Sequence, residues 1–191
     1  MAVRNTTNLP GALRSTDQIA NTRCVLRAID EVFGESSSGN MMITREWEVV
    51  IPEAVMVNGV SKILAGTKVK QYLPTLCFKD DGSRDDAKSD KALARLRDEN
   101  AALRLPGDSI DDENPVLEIK NNIEAGQPVY ADATVGSDEY TLKEPATPEQ
   151  LAQGIKYGGD KIGADGKPEK GYRVKLVGIL GRATPVAGQP W

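Results

Sequence analysis

The stretch GTKVKQYL at residues 66–73 sets Lys68, Lys70 and Tyr72 on one side of an extended segment and Val69 and Leu73 on the other. Same-side residues of a strand stand about 7 Å apart, which suits two ammonium groups on successive phosphates and one ring under a stacked base. The same pattern describes a solvated edge strand that lysines protect from pairing. Arg27, Arg173 and Lys175 extend the basic face if register sets them on the same side, and register is not fixed by sequence.

Trp47 is the most valuable of few aromatics, since base stacking on such a ring is worth about 1–3 kcal/mol per base. It is also in phase with Ile43, Val49 and Ile51, which is the pattern of a core residue. Arg45 shares that face, so either the strand bulges there or Arg45 and Trp47 look onto a groove. Lys156, Tyr157 and Lys161, with Lys167, Lys170 and Tyr172, fall in a Gly-rich stretch. They suit a flexible clamp or a solvated excursion.

Other chemistries find little support. The chain has no histidine, which removes His-dependent base catalysis, the usual nucleophile pairs and the commonest zinc ligand. Cys24 and Cys77 are the only thiols, too few for a closed zinc centre and too far apart in sequence for a CxxC site. They read as buried free thiols in a reducing compartment rather than as a disulfide. The acids at 80–81, 84–86 and 109–114 sit in loop-like segments, and DKIGADG lacks the ligand pattern of a calcium loop. No phosphate-binding glycine loop is present. The expectation is a protein that is not an enzyme and takes no metal or cofactor.

With 191 residues, 39% of them hydrophobic, the chain has the size of one domain carrying insertions. Its net charge of −4 does not drive it onto nucleic acid or an anionic membrane, so any polyanion site has to be a local basic face. No apolar run reaches signal-peptide or membrane-spanning length.

Residues 1–22 are polar with sparse apolar positions and read as a flexible arm, ordered only if something receives it. RCVLRAIDEVF and MMITREWEVVI alternate on either side of a turn cluster, as two long antiparallel strands do. A hairpin turns at Asn58-Gly59, and a third strand over 68–78 is interrupted at Pro74. Ser89 caps a helix whose Leu93, Leu96, Asn100 and Leu103 recur at helical spacing. A fourth strand turns Val129, Ala131, Ala133 and Val135 inward and Tyr130, Asp132 and Thr134 outward. An insertion over about 143–171 carries a capping box from Thr147 and Pro148 to Gln150, closed by Gly158-Gly159. A last strand presents Tyr172, Val174 and Leu176 on one face and Arg173 and Lys175 on the other. Residues 183–191 form a Pro/Gly-rich tail ending on Trp191.

Five strands with a helix between the third and fourth is the connectivity of the OB-fold, so the expected architecture is a mainly β, five-stranded OB-like barrel over residues 23–182. In SGNMMITREWEVV, GTKVKQYL, LRLPGDSI and YRVKLVGILG the chain resembles OB-fold single-stranded-DNA-binding proteins of bacteriophage replication and recombination modules. The resemblance covers about residues 23–182 and lies in layout and strand texture. It implies non-enzymatic binding of single-stranded DNA in the cytoplasm of an infected bacterial host. It implies phage replication or recombination proteins as further partners, with Trp191 as a contact for them, and it admits a homo-oligomer. Two other readings stand beside it. One is a decoration or connector protein of a virion, whose arm and tail reach neighbouring subunits. The other is an adaptor or inhibitor that binds a protein through the same barrel face.

Overall fold

The computed structural model describes residues 10–107 and 110–184. It begins with a short strand, β1 (Gly11–Ala12), followed by the two long alternating strands β2 (Thr22–Glu35) and β3 (Met41–Ile51). A hairpin of β4 (Ala54–Val57) and β5 (Val60–Ile63) turns at Asn58-Gly59, both with positive φ, as a two-residue turn that follows strand twist requires. Then come β6 (Lys68–Leu76), α1 (Asp86–Ala102), α2 (Glu118–Glu124) and β7 (Tyr130–Thr141). The chain continues through β8 (Lys143–Pro145), α3 (Pro148–Ala152) and β9 (Tyr157–Asp160) into β10 (Lys170–Arg182).

The fold is mainly β, and its centre is a five-stranded antiparallel sheet in the order β10-β7-β2-β3-β6. Every neighbouring pair is antiparallel, so the two outer strands β10 and β6 run in the same direction. They approach each other across the curved sheet, and no ladder joins them among the described residues. Helix α1 packs on both. Pro74 lies within β6 rather than ending it, opposite Met42 and beside a register shift. This is the tolerated place for a residue without an N–H, on an edge strand next to an irregularity.

The inner face carries the core. Val129, Ala131, Ala133 and Val135 are fully buried, as their alternation requires, while Tyr130 is also buried rather than turned outward. Trp47 is 0% exposed and lies opposite Ala28, whose small side chain leaves room for the indole. Its Nε1 donates to Gln71 Oε1 at 3.3 Å, so the polar end of the ring is satisfied inside the protein.

The inner face also holds an ion pair. β2 turns Cys24, Leu26 and Ala28 inward, then a register shift between Ala28 and Asp30 inserts Ile29 as an extra residue. The bulge inverts the side-chain phase, so Glu31 points inward and pairs in register with Arg45. Arg45 Nε donates to Glu31 Oε1 at 2.7 Å and an Arg45 Nη to Asn100 Oδ1 at 2.6 Å. Glu31 Oε2 accepts from the backbone N–H groups of Ile119 and Lys120, the first turn of α2, whose own cap residue Leu117 supplies no side-chain acceptor. One buried carboxylate therefore joins β2, β3 and α1 through Arg45 and serves as the tertiary cap of α2.

Three local expectations need correction. Asp85, not Ser89, caps α1; Ser89 is buried and its hydroxyl accepts from Cys77 N–H while donating to the Asp85 carbonyl. The capping box of α3 forms as expected, yet the helix ends at Ala152, with Gln153 as its C-cap before Gly154, rather than at Gly158-Gly159. Residues 10–21 are not a free arm: β1 pairs parallel to β5, Ile19 is buried in the core, and Ile19 N–H donates to Ser137 Oγ at 2.8 Å. The receiver that such a polar segment needs is the domain itself. Cys24 and Cys77 are both buried and free.

Candidate functional site

Between the two outer strands lies a cleft of about 600 Å³. One wall is Thr67–Tyr72 of β6 and the turn before it, the other is Arg173–Gly178 of β10, with Arg95 and Glu99 of α1 and Asp138 of β7 completing it. Strand alternation sets its chemistry. On β6, Lys68, Lys70 and Tyr72 are exposed while Val69, Gln71 and Leu73 are buried. On β10, Arg173, Lys175 and Val177 are exposed in the same alternation. Because the strands run in one direction, residue order along each is also spatial order: cations come first on both walls, then Tyr72 on one and Val177 on the other.

Five cationic side chains (Lys68, Lys70, Arg95, Arg173 and Lys175) and two carboxylates (Glu99 and Asp138) line the cleft. The chain as a whole carries a net −4. The cations are not unopposed. Lys68 Nζ lies 2.8 Å from Glu46 and Lys70 Nζ 4.0 Å from the same carboxylate, which faces them from β3. Arg173 and Lys175 both reach Asp138, at 2.8 and 3.2 Å. The hydrogen bond from Lys68 holds the Glu46 carboxyl below its usual range, and those from Arg173 and Lys175 do the same for Asp138. Such exposed pairs are weak and exchange readily for other anions. Tyr72 is 55% exposed. Arg173 also lies 6.0 Å from the centroid of the Tyr140 ring.

The fold thus brings Lys68, Lys70, Tyr72, Arg173 and Lys175 to one cleft. It takes two others out of reach: Arg45, 1% exposed, and Trp47 are core residues, so neither meets a ligand on the surface, and β3 has no extra residue at Arg45 or Trp47. The irregularity next to Arg45 is on the partner strand, at Ile29 of β2, and its effect is to give Arg45 a buried counter-ion. Arg27 is on the outer face of β2, paired with Glu48 and beside a separate depression formed by Val50, Ala65, Gly66 and Tyr130. Lys156, Tyr157 and Lys161 lie on the insertion, where β8 pairs with β9 in a ribbon of its own. There Lys161 is paired with Glu169 at 2.7 Å. Trp191 lies outside the described residues. Arg95, Glu99 and Asp138 were not singled out from sequence. The Arg95–Glu99 spacing of four on a helix was the one signal present, and it signifies a surface pair as often as a site.

Among the described residues no group of three or more His, Cys, Asp or Glu is placed to hold a metal ion, and no helix is long and apolar enough to cross a membrane. The site is defined at the level of a class: a mainly β protein with a cationic, aromatic-walled cleft between two strands of one sheet. No family model matches the chain, and comparison with curated proteins and with solved structures gives no match either.

Proposed function

We propose that this protein binds single-stranded DNA without catalysing a reaction, holding phosphates with Lys68, Lys70, Arg173 and Lys175 and stacking a base on Tyr72. The observation that carries the reading is the collection of five cations and an exposed tyrosine in one cleft of an acidic chain. A duplex with its bases stacked inward has no base to offer Tyr72, whereas a single strand offers phosphates and π-faces together. The strand order supports an OB-like barrel as the architecture: numbered by the five long strands, it reads 5-4-1-2-3, with strands 3 and 5 as the meeting edges and α1 between strands 3 and 4. Together with the resemblance in strand texture, this supports a role in bacteriophage replication or recombination within an infected bacterium as part of the proposal.

The test is fluorescence anisotropy of a labelled, unstructured oligonucleotide at low and moderate salt, with a duplex control. Saturable binding that prefers the single strand, weakens with salt and drops in Lys70→Ala and Arg173→Ala supports the reading. Absence of binding at low salt overturns it.

A second reading, an assembly protein of a virion, rests on a different observation. The insertion exposes Leu151, Ile155, Tyr157 and Ile162 on a small ribbon and helix. Sedimentation that shows concentration-dependent association, lost when Leu151 and Ile155 are replaced by Ser, would favour it.

A further inference from the structure

Glu99 is the unexplained residue of the cleft. A carboxylate among cations that hold phosphates opposes the very ligand they attract, unless it is engaged elsewhere. Among the described residues its only basic neighbour within ion-pair range is Arg95, one turn earlier on α1, at 3.9 Å, beyond hydrogen-bond distance. Its Oε2 is buried with no hydrogen-bond partner, and Arg45 Nη1 is the only other such side-chain atom among the described residues. Leaving an ionised oxygen desolvated and unpartnered is costly, and such an atom marks a place where a donor is missing.

The position of Glu99 specifies the donor. It lines the same cleft as Tyr72 and Lys70, so a base stacked on Tyr72 shares that cleft with Glu99. A carboxylate only accepts hydrogen bonds. Thymine turns toward it a single N–H flanked by two carbonyl oxygens, which repel it. Cytosine and adenine present an amino group. Guanine presents an N–H and an amino group side by side, matching the two carboxylate oxygens. Pairing with both oxygens requires the Glu99 carboxylate to swing out of its buried position by rotation of its side-chain torsions.

We propose that Glu99 is the base-selecting acceptor of this cleft, favouring guanine first, then cytosine and adenine, over thymine. The inference rests on the single-stranded-DNA reading and adds a preference to it. A good bidentate contact of this kind is worth about tenfold in affinity, at the low end of the discrimination that paired base contacts give.

The experiment compares equal-length labelled oligonucleotides: all thymidine, alternating thymidine–guanosine, and alternating thymidine–inosine, which lacks the amino group of guanine. The expected result is about tenfold tighter binding of the guanine oligonucleotide than of oligothymidine, with inosine between them. Glu99→Gln, whose amide can both donate and accept, is expected to erase that order while keeping the salt dependence. If Glu99→Gln melts early, Glu99→Ala repeats the comparison. Equal affinity of the wild type for all three, or a guanine preference that survives both substitutions, overturns the role of Glu99 and leaves single-stranded-DNA binding standing. Absence of binding to every oligonucleotide overturns both.

Discussion

At the scale of single residues, the cleft cations are held in reserve by carboxylates. Glu46 and Asp138 pair with Lys68, Lys70, Arg173 and Lys175, so under the proposed function they would compete with DNA phosphate for these cations. Glu46→Gln and Asp138→Asn are each expected to raise affinity for oligothymidine several-fold, measured by anisotropy at constant salt. Acid should do the same. Both carboxyls sit below their ordinary range in the folded protein, so their contribution to stability is present above the unfolded value, about pH 4, and is lost as pH falls through the folded one. In that same window their protonation frees the cations. Affinity for oligothymidine is therefore expected to rise while thermal stability falls, and anisotropy and melting curves from about pH 6 down to about 2 check the two signs together. Cys24 gives an independent check of the core: burial pushes its thiol up to about 11, so it should react with thiol reagents at pH 8 only on unfolding.

At the scale of elements, one inserted residue changes what two strands present. Strict alternation from Cys24 would turn Glu31 outward and leave Arg45 without a partner, which is why the Arg45 face read as a groove or a bulge of its own strand. The extra residue Ile29 reverses the phase and places the carboxylate opposite the guanidinium. Arg45→Met removes one partner of a buried pair that also orients the α2 cap, and is expected to cost about 3–5 kcal/mol in urea unfolding. Trp47→Phe opens a smaller defect, about 1–3 kcal/mol, and is expected to leave oligonucleotide affinity unchanged, because the indole contacts Gln71 and the core rather than the cleft. An affinity loss in a folded Trp47→Phe protein would contradict the burial of this ring. The hairpin at Asn58-Gly59 and the capping box at Thr147 were legible because turns and caps are made within four residues. The cap of α2 was not, because its acceptor, Glu31, is 88 positions from Ile119 in sequence.

At the scale of the whole molecule, a negative chain concentrates positive charge where the sheet's two outer strands approach each other. Four cleft cations on phosphates predict a log–log salt slope of about −3, from ~0.7 for each contact with a single strand. A slope near zero would mean that binding, if seen, is not through this cleft. The insertion is a separate ribbon, paired mainly with itself, so replacing residues 143–169 by a short Gly-rich turn is expected to leave the melting temperature of the sheet nearly unchanged. A large loss would show that the ribbon supports the core.

The sequence by itself determined the extent of each long strand, the inward row Val129, Ala131, Ala133 and Val135, and the outward row Lys68, Lys70 and Tyr72. Each follows from the two-residue period of an extended chain, a local property. It also bounded the chemistry, since a chain without histidine offers few catalytic arrangements. Only the tertiary structure decided which rows face each other. The return of β10 toward β6 puts Arg173 and Lys175 across from Lys68 and Lys70. The bulge in β2 puts Arg45 inside, and the packing of α1 brings Glu99 to the cleft. Register, curvature and bulges depend on contacts between residues far apart in the chain, and no local pattern encodes them.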